Sequence, residues 1–132
     1  MSNQIVKSVI QFNQSVLGIE PRRLGLMSDA ENEITVKCLR EEADEFELAV
    51  KEGDYISQVD SLIDSVYFAV GAMYKLGLTA QQIDACMDEV HSANMAKCKG
   101  VNEKRGDGSA ADAVKPEDWV SPEERIGSIL EA

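Results

Sequence analysis

Glu41, Glu42 and Glu45 fall within little more than one helical turn, and Asp60 and Asp64 repeat a four-residue spacing further along the chain. Residues three and four apart share a helix face, so two successive helices would offer five carboxylates to one small volume. Such a group is not stable by itself. Two unit charges about 4 Å apart repel by about 4 kcal/mol at an effective dielectric near 20. Protonation or a bound cation must relieve the repulsion. Hard divalent ions such as Mg²⁺ collect carboxylate oxygens, which makes a metal-dependent site the leading reading. The competing reading is an ordinary solvated acidic face.

The neighbours of these acids separate the two readings. On a helical wheel the stretch around Asp60 places Val59, Leu62, Ile63, Val66, Ala69, Val70 and Met73 on one broad apolar side. Asp60, Asp64, Tyr67, Gly71 and Lys75 form a separate stripe. Aspartates are poor helix formers, and a purely solvated stripe would favour Glu and Lys. On the preceding segment Glu41 and Glu45 lie among Ile34, Cys38 and Leu48, while Glu42 lies between Phe46 and Ala49. Acids flanked by apolar residues are expected to be partly buried, and perturbed buried acids mark functional sites more often than surfaces.

The elements that must hold these groups are helical. Ile5, Val9, Phe12 and Val16 recur at helical spacing with Val6, Ile10 and Leu17 beside them, which predicts an amphipathic first helix ending near Gly18. A loop with Pro21 and Gly25 follows. Ser28 or Asp29 caps a second helix to about Glu52, and Gly53-Asp54 is a turn. Asp54 caps a third helix to about Leu76, Gly77 suits its C-terminus, and Thr79 caps a fourth to about Lys97. Gly100 to Ala113 reads as a loop. Pro116, Trp119, Val120 and Pro122 precede a short last helix through Ile126, Ile129 and Leu130. A lone tryptophan in such a tail is expected to dock on the helical body or on a second subunit. The expected organisation is one all-α domain of the four-helix-bundle type, with residues 1–98 as the helical part and 99–132 as loop and docking tail.

Composition narrows the function classes. The chain has 132 residues, 24 acids against 13 bases and a net charge of −11, so duplex nucleic acid is not an expected partner. Val66 to Tyr74, the longest nearly apolar stretch, is too short to span a bilayer, and Met1 to Phe12 has no signal-peptide core. Cys38, Cys86 and Cys98 show no paired spacing, which suits reduced thiols and a cytoplasmic location. His91 with Cys86 and Cys98 matches no zinc pattern and reads as a hydrogen-bonded histidine, either on the surface or supporting a neighbouring site residue. Asn94 and Lys97 share a face at the end of the fourth helix and are uninformative alone. Arg22, Arg23 and Lys75 either assist with phosphates or are merely solvated, and the solvated reading is preferred. Neither a phosphate-binding P-loop nor a nucleophile elbow occurs.

Taken in order, these segments resemble a known family. Arg40-Glu41-Glu42-Ala43-Asp44-Glu45-Phe46 and Asp60-Ser61-Leu62-Ile63-Asp64-Ser65-Val66-Tyr67 resemble the paired acid motifs of the all-α nucleotide pyrophosphohydrolases. That group comprises MazG-like proteins, dimeric dUTPases and phosphoribosyl-ATP pyrophosphohydrolases. Tyr67-Phe68-Ala69-Val70-Gly71, Val90-His91-Ser92-Ala93-Asn94-Met95-Ala96-Lys97 and the tail from Lys115 to Pro122 resemble the phosphoribosyl-ATP pyrophosphohydrolase-like branch. Two positions depart from it. Ser61 stands where an acid is common, and Asn13 follows Phe12 where the branch often has His.

The resemblance implies a MazG-like, Mg²⁺-dependent enzyme, with Mn²⁺ as a substitute, that cleaves a nucleoside triphosphate between its α- and β-phosphates. Glu42, Glu45 and Asp64 would be metal ligands with Asp60 close behind. Glu41 would be a further ligand or the base, and Glu41 and Glu42 are the candidate catalytic residues. Asn94, Lys97 and Tyr67 would contact substrate. A homodimer or homotetramer is implied. The rivals are a non-catalytic helical interaction module, and the same fold acting on dUTP or phosphoribosyl-ATP.

Overall fold

Three of the predicted helix starts carry the caps that the sequence suggests. In the computed structural model, which describes residues 3–100 and 112–131, the helices are α1 Gln4–Ser15, α2 Asp29–Glu52, α3 Tyr55–Lys75, α4 Ala80–Met95 and α5 Glu123–Glu131. Ser28 and Glu31 form a reciprocal capping box at the start of α2. The Asp54 carboxylate accepts from the Ser57 amide at the start of α3. Thr79 and Gln82 exchange side-chain and backbone hydrogen bonds at the start of α4. The class is all-α, as expected. No helix among the described residues is long and apolar enough to cross a membrane.

The chain divides into two compact units, Met1–Ile83 and Asp84–Ala132. In the first unit α2 and α3 are joined by a tight turn and pack along each other. Gly53 takes the left-handed conformation there (φ 67°), and its amide donates to the carbonyls of Ala49 and Val50. α1 lies on α3. Val6 and Val9 are fully buried, and burying each side chain contributes about 2 kcal/mol. Tyr74 is buried and donates its hydroxyl to the Ile19 carbonyl at 2.7 Å, fixing the loop after α1. Gly77 (φ 97°) lies so close to that loop that a Cβ would strike the Arg23 carbonyl.

The packed stripes differ from those that hydrophobicity suggests. α1 ends at Ser15 rather than near Gly18, and buries Val6, Val9 and Asn13, leaving Ile5, Phe12 and Val16 exposed. α3 buries Ser61, Val70, Gly71 and Tyr74, whereas Val59, Leu62, Ile63 and Val66 stay exposed. Small and polar residues on the packed side permit close helix approach, so the apolar side of α3 is not the one this chain covers. Arg22 is not simply solvated either: its guanidinium makes a bidentate pair with Glu31 at 3.0 and 2.7 Å and donates to the Lys75 carbonyl at 3.3 Å.

In the second unit a short antiparallel pair, β1 (Cys98–Gly100) and β2 (Asp112–Val114), sets Cys98 opposite Val114. The sequence reading has a loop here; residues 101–111 of that loop lie outside the described residues. Trp119 docks on α4, donating Nε1–H to the Ala93 carbonyl at 2.6 Å. The three cysteines are free thiols.

Candidate functional site

Glu42 faces inward from the middle of α2 and retains only 8% exposure. A buried carboxylate normally finds donors, yet Glu42 Oε2 has no hydrogen-bond partner among the described residues. Its surroundings are other acids. Burial, then the hydrogen-bonding contact with Glu45, then the charges of Glu45, Asp64 and Asp60 push its pKa up to about 7. Asp64, half-buried on α3, is also held above the usual carboxylate range by burial first and then by Asp60 and Glu45. Four of the five sequence-predicted acids therefore act on one another across the α2–α3 pair.

Glu41 is the exception. It is exposed, with its carboxylate 4.0 Å from the Lys37 ammonium one turn earlier. It shares a shallow surface groove with Lys37, Arg40 and Asp44, and it is not among the charges that act on Glu42. A step of about 100° around the helix separates neighbouring side chains, enough to send one acid inward and the next outward.

Ser61 accounts for one departure from the family pattern. It is buried, and its hydroxyl donates to the carbonyls of Ser57 and Gln58 at 3.0 and 3.1 Å. The hydroxyl thus serves its own helix and adds no charge.

Asp64 also forms part of the wall of a cavity of about 450 Å³ in the first unit. Phe12, Asn13 and Leu17 contribute from the N-terminal side, Ile34, Thr35 and Cys38 from α2, and Tyr67, Phe68, Gly71, Ala72 and Lys75 from α3. Phe12 and Tyr67 meet edge to face with centroids 5.6 Å apart. Asn13 is buried and donates Nδ2–H to the Val9 carbonyl at 2.9 Å. Gly71 leaves space for it, since a Cβ there would lie 3.3 Å from Nδ2. A mostly apolar cavity of this size with a few polar groups suits a small organic ligand. Tyr67, expected to contact substrate, lies on this wall, together with Thr35, Cys38 and Phe68, which only the packing of three helices gathers.

Asn94 and Lys97 belong to the second unit, at the end of α4. The Lys97 amide donates to the Asn94 carbonyl at 3.0 Å, and its ammonium lies 5.2 Å from the centre of the Trp119 ring. His91 is exposed, as a surface histidine should be.

Among the described residues no group of three or more His, Cys, Asp or Glu side chains is placed to hold a metal ion. The donor set still fits a hard cation. It consists of carboxylate oxygens only, one of them buried and unpartnered, and a cation would remove the repulsion that raises Glu42 and Asp64.

A family model described as phosphoribosyl-ATP pyrophosphohydrolase matches residues 26–94, just over half of the chain and including all of α2 and α3. A search of curated proteins found no match.

Proposed function

Because the chain belongs to the phosphoribosyl-ATP pyrophosphohydrolase family, within the MazG-like all-α pyrophosphohydrolases, we propose that it hydrolyses a nucleoside or deoxynucleoside triphosphate between the α- and β-phosphates. The products are the nucleoside monophosphate and pyrophosphate. Hydrolysis of a nucleotide acid anhydride comes with the family and removes the non-catalytic module as an alternative. The observation that carries the rest is the buried Glu42 carboxylate, its Oε2 unpartnered among the described residues, beside Glu45, Asp60 and Asp64.

Glu42, Glu45 and Asp64 would hold Mg²⁺, or Mn²⁺ in its place, with Asp60 beside them. When bound, the ion would supply positive charge to the phosphates and lower the pKa of water. Glu41 or Glu42 would accept the proton of the attacking water. The position of Glu42 inside the acid group supports that residue, whereas Glu41 lies beside Lys37. The cavity that shares Asp64 with the acid group would take the nucleoside, with Tyr67 on its wall. Asn94 and Lys97 would contact substrate, Lys97 at phosphate. Phosphoribosyl-ATP is the second reading of the substrate, favoured by the description of the matched family.

A homodimer or homotetramer belongs to the same proposal. The exposed row Val59, Leu62, Ile63 and Val66 on α3 supports it, since a contiguous apolar patch commonly marks an interface. A reducing, cytoplasmic setting suits the three free thiols.

The test is pyrophosphate release from a panel of standard and modified NTPs and dNTPs, dUTP and phosphoribosyl-ATP, in Mg²⁺ and in EDTA. Release that needs Mg²⁺ and is lost in Glu42→Gln/Glu45→Gln is the expected result. Equal release by that variant would overturn the assignment of the site.

A further inference from the structure

Acids outnumber bases 24 to 13 in this chain, yet Lys7, Lys75 and Lys99, like Lys97 and Lys115, form no ion pair among the described residues. It is a shared aromatic ring that sets Lys97 and Lys115 apart. Arg22, Lys37, Lys51 and Arg125 all pair with glutamates. Lys97 and Lys115 pair with no carboxylate among the described residues. Both instead lie over a single ring. The Lys97 ammonium is 5.2 Å and the Lys115 ammonium 4.8 Å from the centroid of Trp119. The two charges are therefore no more than about 10 Å apart.

Two features of the second unit bring them together. Cys98 stands opposite Val114 in the antiparallel pair, so one further step of the same register sets Lys97 across from Lys115. Trp119 is held in place by its Nε1–H bond to Ala93 and by its own amide donating to the Pro116 carbonyl at 3.0 Å. Like charges opposite each other destabilise a strand pair. The ring face offsets part of that repulsion through cation–π attraction. It does not use the ammonium hydrogens as a lone-pair acceptor would, and each ammonium has three donors. Glu117 and Asp118, the nearest acids in the tail sequence, form no ion pair with either lysine.

We propose that Lys97, Lys115 and Trp119 form an anion site for a phosphate or pyrophosphate group, either free or carried on a nucleotide. This gives Lys97 a partner from the tail and makes Lys115 a binding residue. The site needs neither the metal nor turnover at the acid group, so it stands or falls apart from the hydrolysis reading.

Trp119 is the only tryptophan, and its emission reports directly on the site. The full chain in EDTA, at constant ionic strength, is titrated with inorganic pyrophosphate, with inorganic phosphate and with a nucleoside monophosphate. Chloride is the control, and calorimetry is the second readout. Pyrophosphate should give a saturable response that chloride does not. Lys97→Met and Lys115→Met should each weaken it at least fivefold, Lys115→Arg should retain it, and Lys99→Met should leave it unchanged. The Glu42→Gln/Glu45→Gln variant should bind as wild type does. Tighter binding of pyrophosphate would identify the free anion as the ligand, and tighter binding of the monophosphate the nucleotide-borne group. A response no larger than that of chloride, or one unaltered in folded Lys115→Met, would overturn the site.

Discussion

Glu41 and Glu47 on α2 carry the same charge as Glu42 on the same helix, in the opposite setting. Glu41 and Glu47 are exposed, with Lys37 and Lys51 one turn away at 4.0 and 3.4 Å. Water and a lysine answer each charge, and such pairs contribute about 0.5 kcal/mol or less. Glu42 has neither. It is buried, its nearest charges are acids of α2 and α3, and its carboxyl is raised to about 7. Acid spacing alone therefore does not mark a site. Burial without a neighbouring cation does, because either a proton or a bound cation must then answer the charge.

Substitutions can break that contrast. The largest effect is expected from Glu42→Gln/Glu45→Gln, with a loss of hydrolysis of at least about a hundredfold, while Glu47→Gln stays within about twofold; steady-state pyrophosphate release checks both. Glu41→Gln sharpens the comparison, since a loss well short of that for Glu42→Gln is expected if Glu42 handles the proton. Asn13→Leu, in the cavity wall, should raise KM about tenfold and leave kcat nearly unchanged, because it removes a polar contact without touching the acids. The smallest effect belongs to the solvated side: Lys51→Gln should change stability by less than about 0.5 kcal/mol in denaturant unfolding.

Much of this was legible in the sequence, because caps and acid spacing are local. Ser28, Asp54 and Thr79 begin their helices as their side-chain chemistry requires. Asp60, Asp64, Glu42 and Glu45 come together because two helices joined by a tight turn must face each other. What escaped depends on long-range packing. A wheel shows that Val59, Leu62, Ile63 and Val66 share a side, but not that the chain packs α3 through Ser61 and Gly71 instead. The β1–β2 pair has only three residues a side, too few for an alternating pattern. Lys97 and Lys115 are separated in sequence, and only the strand register and Trp119 make them neighbours. Arg22 read as solvated because nothing nearby in sequence announces its bidentate bond to Glu31.

The decisive measurement is the melting temperature of wild type and Glu42→Gln from about pH 5 to about pH 8, in EDTA and then in Mg²⁺. A carboxyl raised from 4.5 to about 7 on folding holds its proton more tightly in the folded state than in the unfolded chain. Its contribution is therefore present at low pH and is lost as pH rises through that window. In EDTA the variant should gain on wild type as pH rises past about 5, up to a plateau above about 7. Mg²⁺ should then restore wild type and leave the variant nearly unmoved. A difference between the two proteins that does not change with pH, together with equal responses to Mg²⁺, would contradict a buried acid group that is completed by a cation.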